Sequence, residues 1–418
     1  SAKDIAGNEN KTDTRTINID NTPKIEFISP PTPANQTTTS NTSVFVNVSI
    51  FESSLNEVKF NWNGTNYTLY NDSLILMYNF ENKSELGENS TIFADVSKYG
   101  NNNGNCTIGS GFCPKLNTTA GRYGNAMTFD GINDFIMTGN ISRNLGTVNG
   151  PYTLSGWINV MPGETDGNII HLSAASNGGG WCLPPVQLVG GKLRVQSWTG
   201  VAALANGTTT INPGVWYHFT NTWDSTNGLR LYVNGQLDAS ASQATYSASG
   251  SNNYFFFGFN SGIGCSYENG YFNGSIDEVR IYNRSLSADE VNVLYKSNLI
   301  KFNATQWYLQ VNYSTLSGDF VTGEGYTYSA SAKDIAGNEN KTDTRTINID
   351  STPKISFISP PTPANETSTS NTSVLINVSL SEPYLNEVKF NWNGTNYTLY
   401  NDSLVLMMNF ENKSELGE

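Results

Sequence analysis

The sequence predicts an all-β chain of sandwich domains, on three observations. Apolar and polar residues alternate over short stretches: in TSVFVNVSI, Val44, Val46, Val48 and Ile50 fall on one side and Asn47 and Ser49 on the other. Asn-Gly pairs, which suit the positive φ angles of tight hairpin turns, follow such stretches. Asn63-Gly64 lies between VKFNW and TNYTLY, and Asn234-Gly235 follows LRLYV. The third observation is how little helix signal there is. Ser287-Ala288-Asp289-Glu290 forms a capping box ahead of VNVLY, with Val291 and Leu294 on one face, enough for about two turns. GYTYSASAKD alternates again, whereas the proline-rich ISPPTPAN reads as a linker or an edge entry.

Composition narrows the class. A chain of 418 residues has room for two to four domains of about 100–200 residues each. With 37% hydrophobic and 12% aromatic residues it can bury a core. Charged residues make up 14%, against about 25% in ordinary soluble domains, and Asn, Ser, Thr and Gly fill the gap. The net charge of −13 repels phosphate backbones, so nucleic acid is not an expected partner, and its plainest role is solvation. No apolar run reaches the roughly 18 residues of a membrane helix, so no membrane segment is expected in this stretch.

Of 56 Asn, 25 lie in Asn-x-Ser/Thr with x not Pro, where Ser and Thr frequencies alone give about 11. Glycosylation at positions such as Asn47, Asn63, Asn66, Asn206, Asn273 and Asn312 is therefore expected, and with it an extracellular, cell-surface location. The four cysteines form no CxxC pair and there are only two histidines, which argues against zinc. Two disulfides fit better. The favoured pairing is Cys106–Cys113, closing CTIGSGFC, with Cys182–Cys265 as a long-range staple; four buried thiols are the alternative.

Residues 1–20 recur unchanged at 331–350, and 21–88 continue into 351–418 without insertion, with 12 differences over the 88 positions. A 330-residue period is too long for a solenoid repeat and implies a tandem array of domains.

Within that period two families come into view. Residues 72–298 resemble laminin G-like, concanavalin A-like jelly-roll modules through SLILMYNFEN, GRYGNAMTFDGINDFI, YTLSGWINV, GVWYHFTNTWD, GLRLYVNGQL and YFNGSIDEVRIYNRSLSADEVNVLY, in family order. The flanks resemble Ig-like modules of bacterial and archaeal surface proteins, through YTYSASAKDIAGNEN with TRTINID and then TPKISFISPPTPAN. The implied order is the tail of a preceding Ig-like domain at 1–20 and the first half of the next at 21–71. A jelly roll is inserted at 72–298, and the second half of the Ig-like domain follows at 299–350. Residues 351–400 then begin another Ig-like domain and 401–418 another jelly roll. Insertion at a loop tip is a tolerated route. An uninterrupted sandwich over 299–400, with the jelly roll as a bead on a string, is the alternative.

The candidate sites follow. In SIDEVRIY, strand alternation puts Asp277 on the face of Val279 and Ile281, where a lone carboxylate needs a partner. The jelly-roll resemblance implies structural Ca²⁺ there, with Glu81 or Asp95 completing the site; accepting backbone hydrogen bonds is the plainer role. Asp130-Gly131 reads as a turn, with Asp134 beside it. Glu164 and Asp166 stand two apart, but in a Gly/Pro-flanked loop, and no ExDxE strand supplies the carboxylate pair of a glycosidase. His171 and His218 lack an obvious Ser or Cys partner, and GxSxG, HExxH and a P-loop are absent. Trp181, Trp198 and Tyr267 lie near Gly-rich loops where aromatic faces stack on sugars, whereas Trp157, Trp216 and Trp223 read as core. The expectation is a non-enzymatic structural repeat of a surface filament or stalk, contacting neighbouring copies of itself. The alternative is an adhesin or lectin for surface glycans, with its binding residues unknown.

Overall fold

The computed structural model describes residues 1–13, 22–106, 113–141, 150–178, 182–198, 202–242, 254–259, 270–314, 325–349, 353–382 and 385–407. The chain divides into two compact units. One holds residues 1–35, 43–314 and 327–345; the other holds 36–42, 315–326 and 346–418.

Most of the first unit is a jelly roll of two stacked antiparallel sheets. In spatial order the first runs Ala202–Thr210, Lys192–Trp198, Cys182–Val189, Gly167–Ser173, Tyr254–Phe257, Ile136–Met137, Gly104–Asn105 and Ile92–Phe93. The second runs Lys115–Asn117, Ala126–Asp130, Asn273–Tyr282, Tyr152–Val160, Trp216–Asp224, Gly228–Val233 and Gln236–Ala241. Leu74–Tyr78 joins it by pairing with the far half of Asn273–Tyr282. Between the sheets lies one apolar core, including Phe129, Phe219, Phe257, Phe272, Ile276 and Val279. Burying each such side chain is worth about 1.5–3 kcal/mol. The Asn-Gly turns form as expected, with positive φ at both residues: Asn63 49° and Gly64 84°, Asn234 49° and Gly235 78°.

The strands on either side of the jelly roll belong together. One sheet runs Ser297–Lys301, Gln306–Tyr313, Val44–Phe51 and Lys24–Ile28, so the central pair joins a strand that precedes the jelly roll to one that follows it. In the facing sheet Leu55–Trp62 pairs with Thr65–Tyr70 on one side and with Tyr326–Asp334 on the other. Both sheets therefore mix strands from before and after the module. The alternation read in TSVFVNVSI is the reason this works. Val44, Val46, Val48 and Ile50 are all buried, as are Trp307, Leu309 and Val311 on the neighbouring strand. Across the sandwich Trp62 stacks on Tyr313 with centroids 4.0 Å apart, and Phe27 meets Tyr328 edge-on at 5.5 Å. Trp307 is fully buried and its indole N–H donates to the Glu52 carbonyl at 3.3 Å.

The helix Ala288–Lys296 follows the last jelly-roll strand. Its capping box is complete: Glu290 N donates to Ser287 Oγ at 3.2 Å, and Ser287 N donates to Glu290 Oε2 at 2.9 Å. Val291, Val293 and Leu294 are its buried face. In the second unit Thr37–Thr39 pairs in parallel with Arg345–Ile349. Lys354–Phe357 pairs with Val378–Ser381, and Val388–Trp392 with Thr395–Tyr400.

If the two flanks close one sandwich, truncating the ring that bridges them must be expensive. Trp62→Ala is expected to lower unfolding free energy by about 3–5 kcal/mol in urea titrations. A loss under about 1 kcal/mol would mean the ring stack does not join two halves of a common core.

Candidate functional site

Two faces of the jelly roll carry chemistry. The first is the outer face of the first sheet. In Tyr254–Phe257, Phe255 and Phe257 enter the main core while Phe256 turns outward, onto a separate cluster with Phe135 and Phe259. His171 sits opposite Phe256 in the sheet, with Phe259 edge-on at 5.4 Å. Burial pulls the His171 imidazole down to about 4, so it is neutral, and among the described residues neither ring nitrogen has a hydrogen-bond partner. Beside it runs a row of buried amides. Gln187 Nε2 donates to Asn168 Oδ1 at 2.8 Å, and Gln196 Nε2 to Pro184 O at 2.9 Å and Gln187 Oε1 at 3.3 Å. Trp198, half-buried, ends the same strand as Gln196. Trp181 and Tyr267 lie outside the described residues.

The second face is the outer side of the second sheet, and here the structure corrects the sequence. Asp277 does not share the face of Val279 and Ile281. The register shifts between Ser155 and Trp157, opposite Arg280 and Asp277, and Glu278 takes φ 51°. This β-bulge resets the alternation: Ile276, Val279 and Ile281 enter the core, while Asp277 lies opposite Trp157 on the other side. Its Oδ2 accepts from Arg122 N at 3.0 Å and Tyr123 N at 3.1 Å, and its Oδ1 from Glu278 N at 2.8 Å. Glu81 grips the same loop: Oε1 accepts from Asn125 N at 3.3 Å, and the carboxylate closes over Gly124, where a Cβ would collide with it. Gly124 has φ 67°, so glycine is required there twice over.

Asp95 does different work. Oδ1 accepts from Met77 N at 3.1 Å and Ser97 N at 3.0 Å, and Oδ2 from Asn102 N at 3.3 Å, pinning its own turn to the first jelly-roll strand. Asp277 and Glu81 are thus brought onto one loop, and Asp95 anchors another. Among the described residues no three His, Cys, Asp or Glu side chains group as a metal centre. Burial pushes Glu81 up to about 7, and burial followed by the neighbouring Glu278 raises Asp277 well above the usual carboxylate range.

Below that loop the jelly roll meets the flanking sandwich through a buried polar network. Asn79 Nδ2 donates to Glu278 Oε2 at 2.8 Å and to Leu299 O at 3.1 Å, and Lys301 N donates back to Asn79 Oδ1 at 3.2 Å. Asn298 Nδ2 donates to Glu278 Oε1 at 2.9 Å. Arg280 donates to Asn298 Oδ1 at 2.7 Å and pairs with Glu278 at 3.2 Å. Sequence reasoning missed this network, because its members stand up to 222 residues apart and no spacing links them.

Two further expectations are corrected. His218 does have a serine: Ser155 Oγ lies 2.9 Å from its Nε2, across adjacent strands. Both are buried, burial first and then the nearby Arg280 and Arg122 hold His218 down to about 3, and its Nδ1 has no partner. The pair is a packed cross-strand contact with no carboxylate to orient it. Trp216 is half-buried rather than core, its N–H donating to Ala120 O at 3.2 Å. Trp157 is buried outside the main core, against Tyr123, His218 and Tyr295, with Arg122 over its ring at 4.2 Å.

Glu164 lies in the expected loop, as does Asp166, which accepts from Gly190 N at 3.1 Å. Asp130 makes the expected turn, taking the backbone N–H groups of Ile132 and Asn133 at 2.8 and 3.2 Å. Burial, with Asp130 second, raises Asp134 to about 6. Cys106 and Cys113 form the short disulfide. Cys182 is also disulfide-bonded, and its expected partner Cys265 lies outside the described residues. Among the sequons, Asn63, Asn66 and Asn206 are exposed, and Asn47, Asn273 and Asn312 half-buried. No helix of the described residues is long and apolar enough to cross a membrane.

Residues 130–292 match the family model of the concanavalin A-like lectin/glucanases superfamily, of laminin G type. With the two stacked sheets, this makes the module a concanavalin A-like jelly roll. The family description spans lectins and glucanases, so it decides the fold and leaves the activity to the site. Similar solved structures include domain 4 of an extracellular arabinanase from Geobacillus stearothermophilus, in complex with arabinotriose. It shows 19% identity and TM-score 0.36, and the match covers 53% of this chain and 98% of that one. Another is the binding domain of Paraclostridial mosquitocidal protein 1, at 19% identity and TM-score 0.39, covering 55% and 54%. Trypanosoma rangeli sialidase matches at 15% identity and TM-score 0.38 over 55% of this chain, which spans 33% of the sialidase. No curated protein matches the sequence.

The raised Glu81 carboxyl gives a pH test. A carboxyl held above its unfolded value binds its proton more tightly in the folded state. Its contribution is full below about pH 4.5 and is lost as pH rises through about 7. Glu81→Gln should therefore melt relatively higher than the parent at pH 8, and lose that relative gain by pH 5. Comparing the two proteins cancels His171 and His218. A melting-temperature difference independent of pH would show that Glu81 is not buried against its loop.

Proposed function

We propose that the chain is a repeat unit of a long extracellular, glycosylated cell-surface stalk or filament, in which an Ig-like host sandwich carries the concanavalin A-like module as a guest. The supporting observation is that strands from both sides of the module share both host sheets. A module entered and left through one sandwich, and clasped to it by buried hydrogen bonds, cannot swing as a bead on a string. The sequence returns in register after 330 residues, so identical units succeed one another with one repeated geometry. A repeated heterologous contact that does not close on itself yields a fibre. Asn63, Asn66 and Asn206 are exposed, so sugars carried there would lie on the outside of such an array.

A second reading has its own observation. The outer face of the first sheet combines aromatic rings, a row of buried amides bonded to one another and a buried histidine whose two nitrogens have no partner among the described residues, with half-buried Trp198 at the end of one of its strands. Rings for stacking and amides for hydroxyl groups are the chemistry of sugar recognition. In this reading the module is an adhesin or lectin and turns nothing over. Among the described residues, the carboxylates above are engaged by backbone N–H groups, sit in turns or, at Glu278, accept from Asn79, Asn298 and Arg280, and none stands free as a catalytic acid or nucleophile. The loop held by Asp277 and Glu81 does not fit calcium, because backbone N–H groups point at its carboxylates and no third His, Cys, Asp or Glu joins them among the described residues.

Electron microscopy of the native protein is expected to show a regular axial spacing with one guest module per repeat; irregular beads on flexible joints would end the filament reading. On a glycan array, with and without a chelator, Trp198→Ala should weaken any binding about tenfold, about 1.4 kcal/mol. An array empty in both conditions would remove the lectin reading.

A further inference from the structure

Residues 353–407 repeat residues 23–77 at an offset of 330, and the two copies fold locally alike. Ile25 pairs with Ile50, and Ile355 with Leu380. Asn61 Nδ2 donates to Asn66 Oδ1 at 2.7 Å, and Asn391 Nδ2 to Asn396 Oδ1 at 2.6 Å. Thr32 Oγ1 accepts from Asn47 N at 2.7 Å and donates to Asn47 O at 2.9 Å; Thr362 and Asn377 repeat both bonds at the same distances. Hairpins and latches are therefore written into the local sequence.

What differs is the cover. Trp62 is 8% exposed and Trp392 52%; Val44 is 2% exposed and Val374 44%; Val48 is fully buried and Val378 44% exposed. The strand Val44–Phe51 spans eight residues against its partner Gln306–Tyr313, whereas its counterpart Val378–Ser381 spans four. Val378–Ser381 pairs with Lys354–Phe357 along one edge, and among the described residues no strand pairs with the other; a row of open apolar side chains beside such an edge is a template for strand addition. The first copy states what fills it, because there Val44 and Val48 pair with Tyr313 and Leu309, Trp62 stacks on Tyr313 and pairs with Tyr328, and Ser297–Lys301 closes the outer edge of Gln306–Tyr313.

We propose that residues 353–407 are an acceptor half-sandwich, closed by strands with the sequence of residues 297–334 from a further copy of this repeat. The register follows from the first copy. Val48 faces Leu309 and Asn47 faces Gln310, so Val378 receives the donor's leucine and Asn377 its glutamine. Trp392 receives the donor's tyrosine, as Trp62 receives Tyr313. The inference rests on the chained-repeat reading above and gives the joint between units a chemistry: strand hydrogen bonds for affinity, and alternating aromatic and aliphatic side chains for register.

The test uses the 418-residue chain and a synthetic segment of residues 297–334. One-to-one binding is expected, with slowed amide exchange at 374–382 and a blue shift of the Trp392 emission, identified by its loss in Trp392→Ala. That variant should bind the segment at least tenfold more weakly. Exchange slowed only at 44–51, or chains that pair through their 353–407 faces without the segment, would overturn the proposal. So would absence of binding, provided the segment stays monomeric in solution. Should the segment aggregate, a chain extended beyond Glu418 by a second copy of residues 89–350 replaces it. Residues 374–382 should then exchange as slowly as 44–51, and exchange as fast as in the parent would overturn the proposal equally. Binding of the segment without regular spacing in microscopy would retain the acceptor and discard the filament.

Discussion

The jelly roll and the sandwich that frames it meet on four buried polar side chains, Asn79, Glu278, Arg280 and Asn298. Burying a carboxylate and a guanidinium is costly, and the cost is offset only when their hydrogen bonds are made. Here Glu278 accepts from two amides and the guanidinium, and both amides also reach across to the strand Ser297–Lys301 or are fixed upon it. Such a network tolerates one arrangement, because sliding the module by one residue would orphan several groups at about 1–3 kcal/mol each. It makes the guest's orientation a fixed property of the fold.

The β-bulge at Glu278 builds that joint. It lets one strand serve two faces, with Ile276, Val279 and Ile281 in the core and Asp277, Glu278 and Arg280 outside it. The carboxylate of Asp277 then holds the loop at Arg122 and Tyr123, while Glu278 turns to the host. Two adjacent acids thus fasten two different neighbours. Burial holds both above the usual carboxylate range, opposed at Glu278 by Arg280.

How much was legible follows from where each signal resides. The alternation of Val44 to Ile50, both Asn-Gly turns, the capping box at Ser287 and the Cys106–Cys113 loop are local, and the chain forms them as read. The turn at Asp4 and Asn8 makes the point, since its repeat at Asp334 and Asn338 adopts the same bonds in different surroundings. The face of Asp277 was misread because a bulge is a relation between strands, in which two residues oppose one, and period two carries no trace of it. The Ser155–His218 contact spans 63 residues, and the Asn79 network up to 222; neither has a spacing that a sequence can display. In YFFF no alternation shows that Phe256 turns away from the core that takes Phe255 and Phe257.

The account stands on strands Val44–Phe51 and Gln306–Tyr313 lying side by side within one chain, on opposite sides of the jelly roll in sequence. Asn47 and Gln310 are directly opposed in that pair. Peptide mapping under non-reducing conditions of Asn47→Cys/Gln310→Cys measures this directly. A disulfide joining the two engineered positions within monomeric protein is the predicted result. Free thiols, or a bridge found only in covalent dimers, would contradict it.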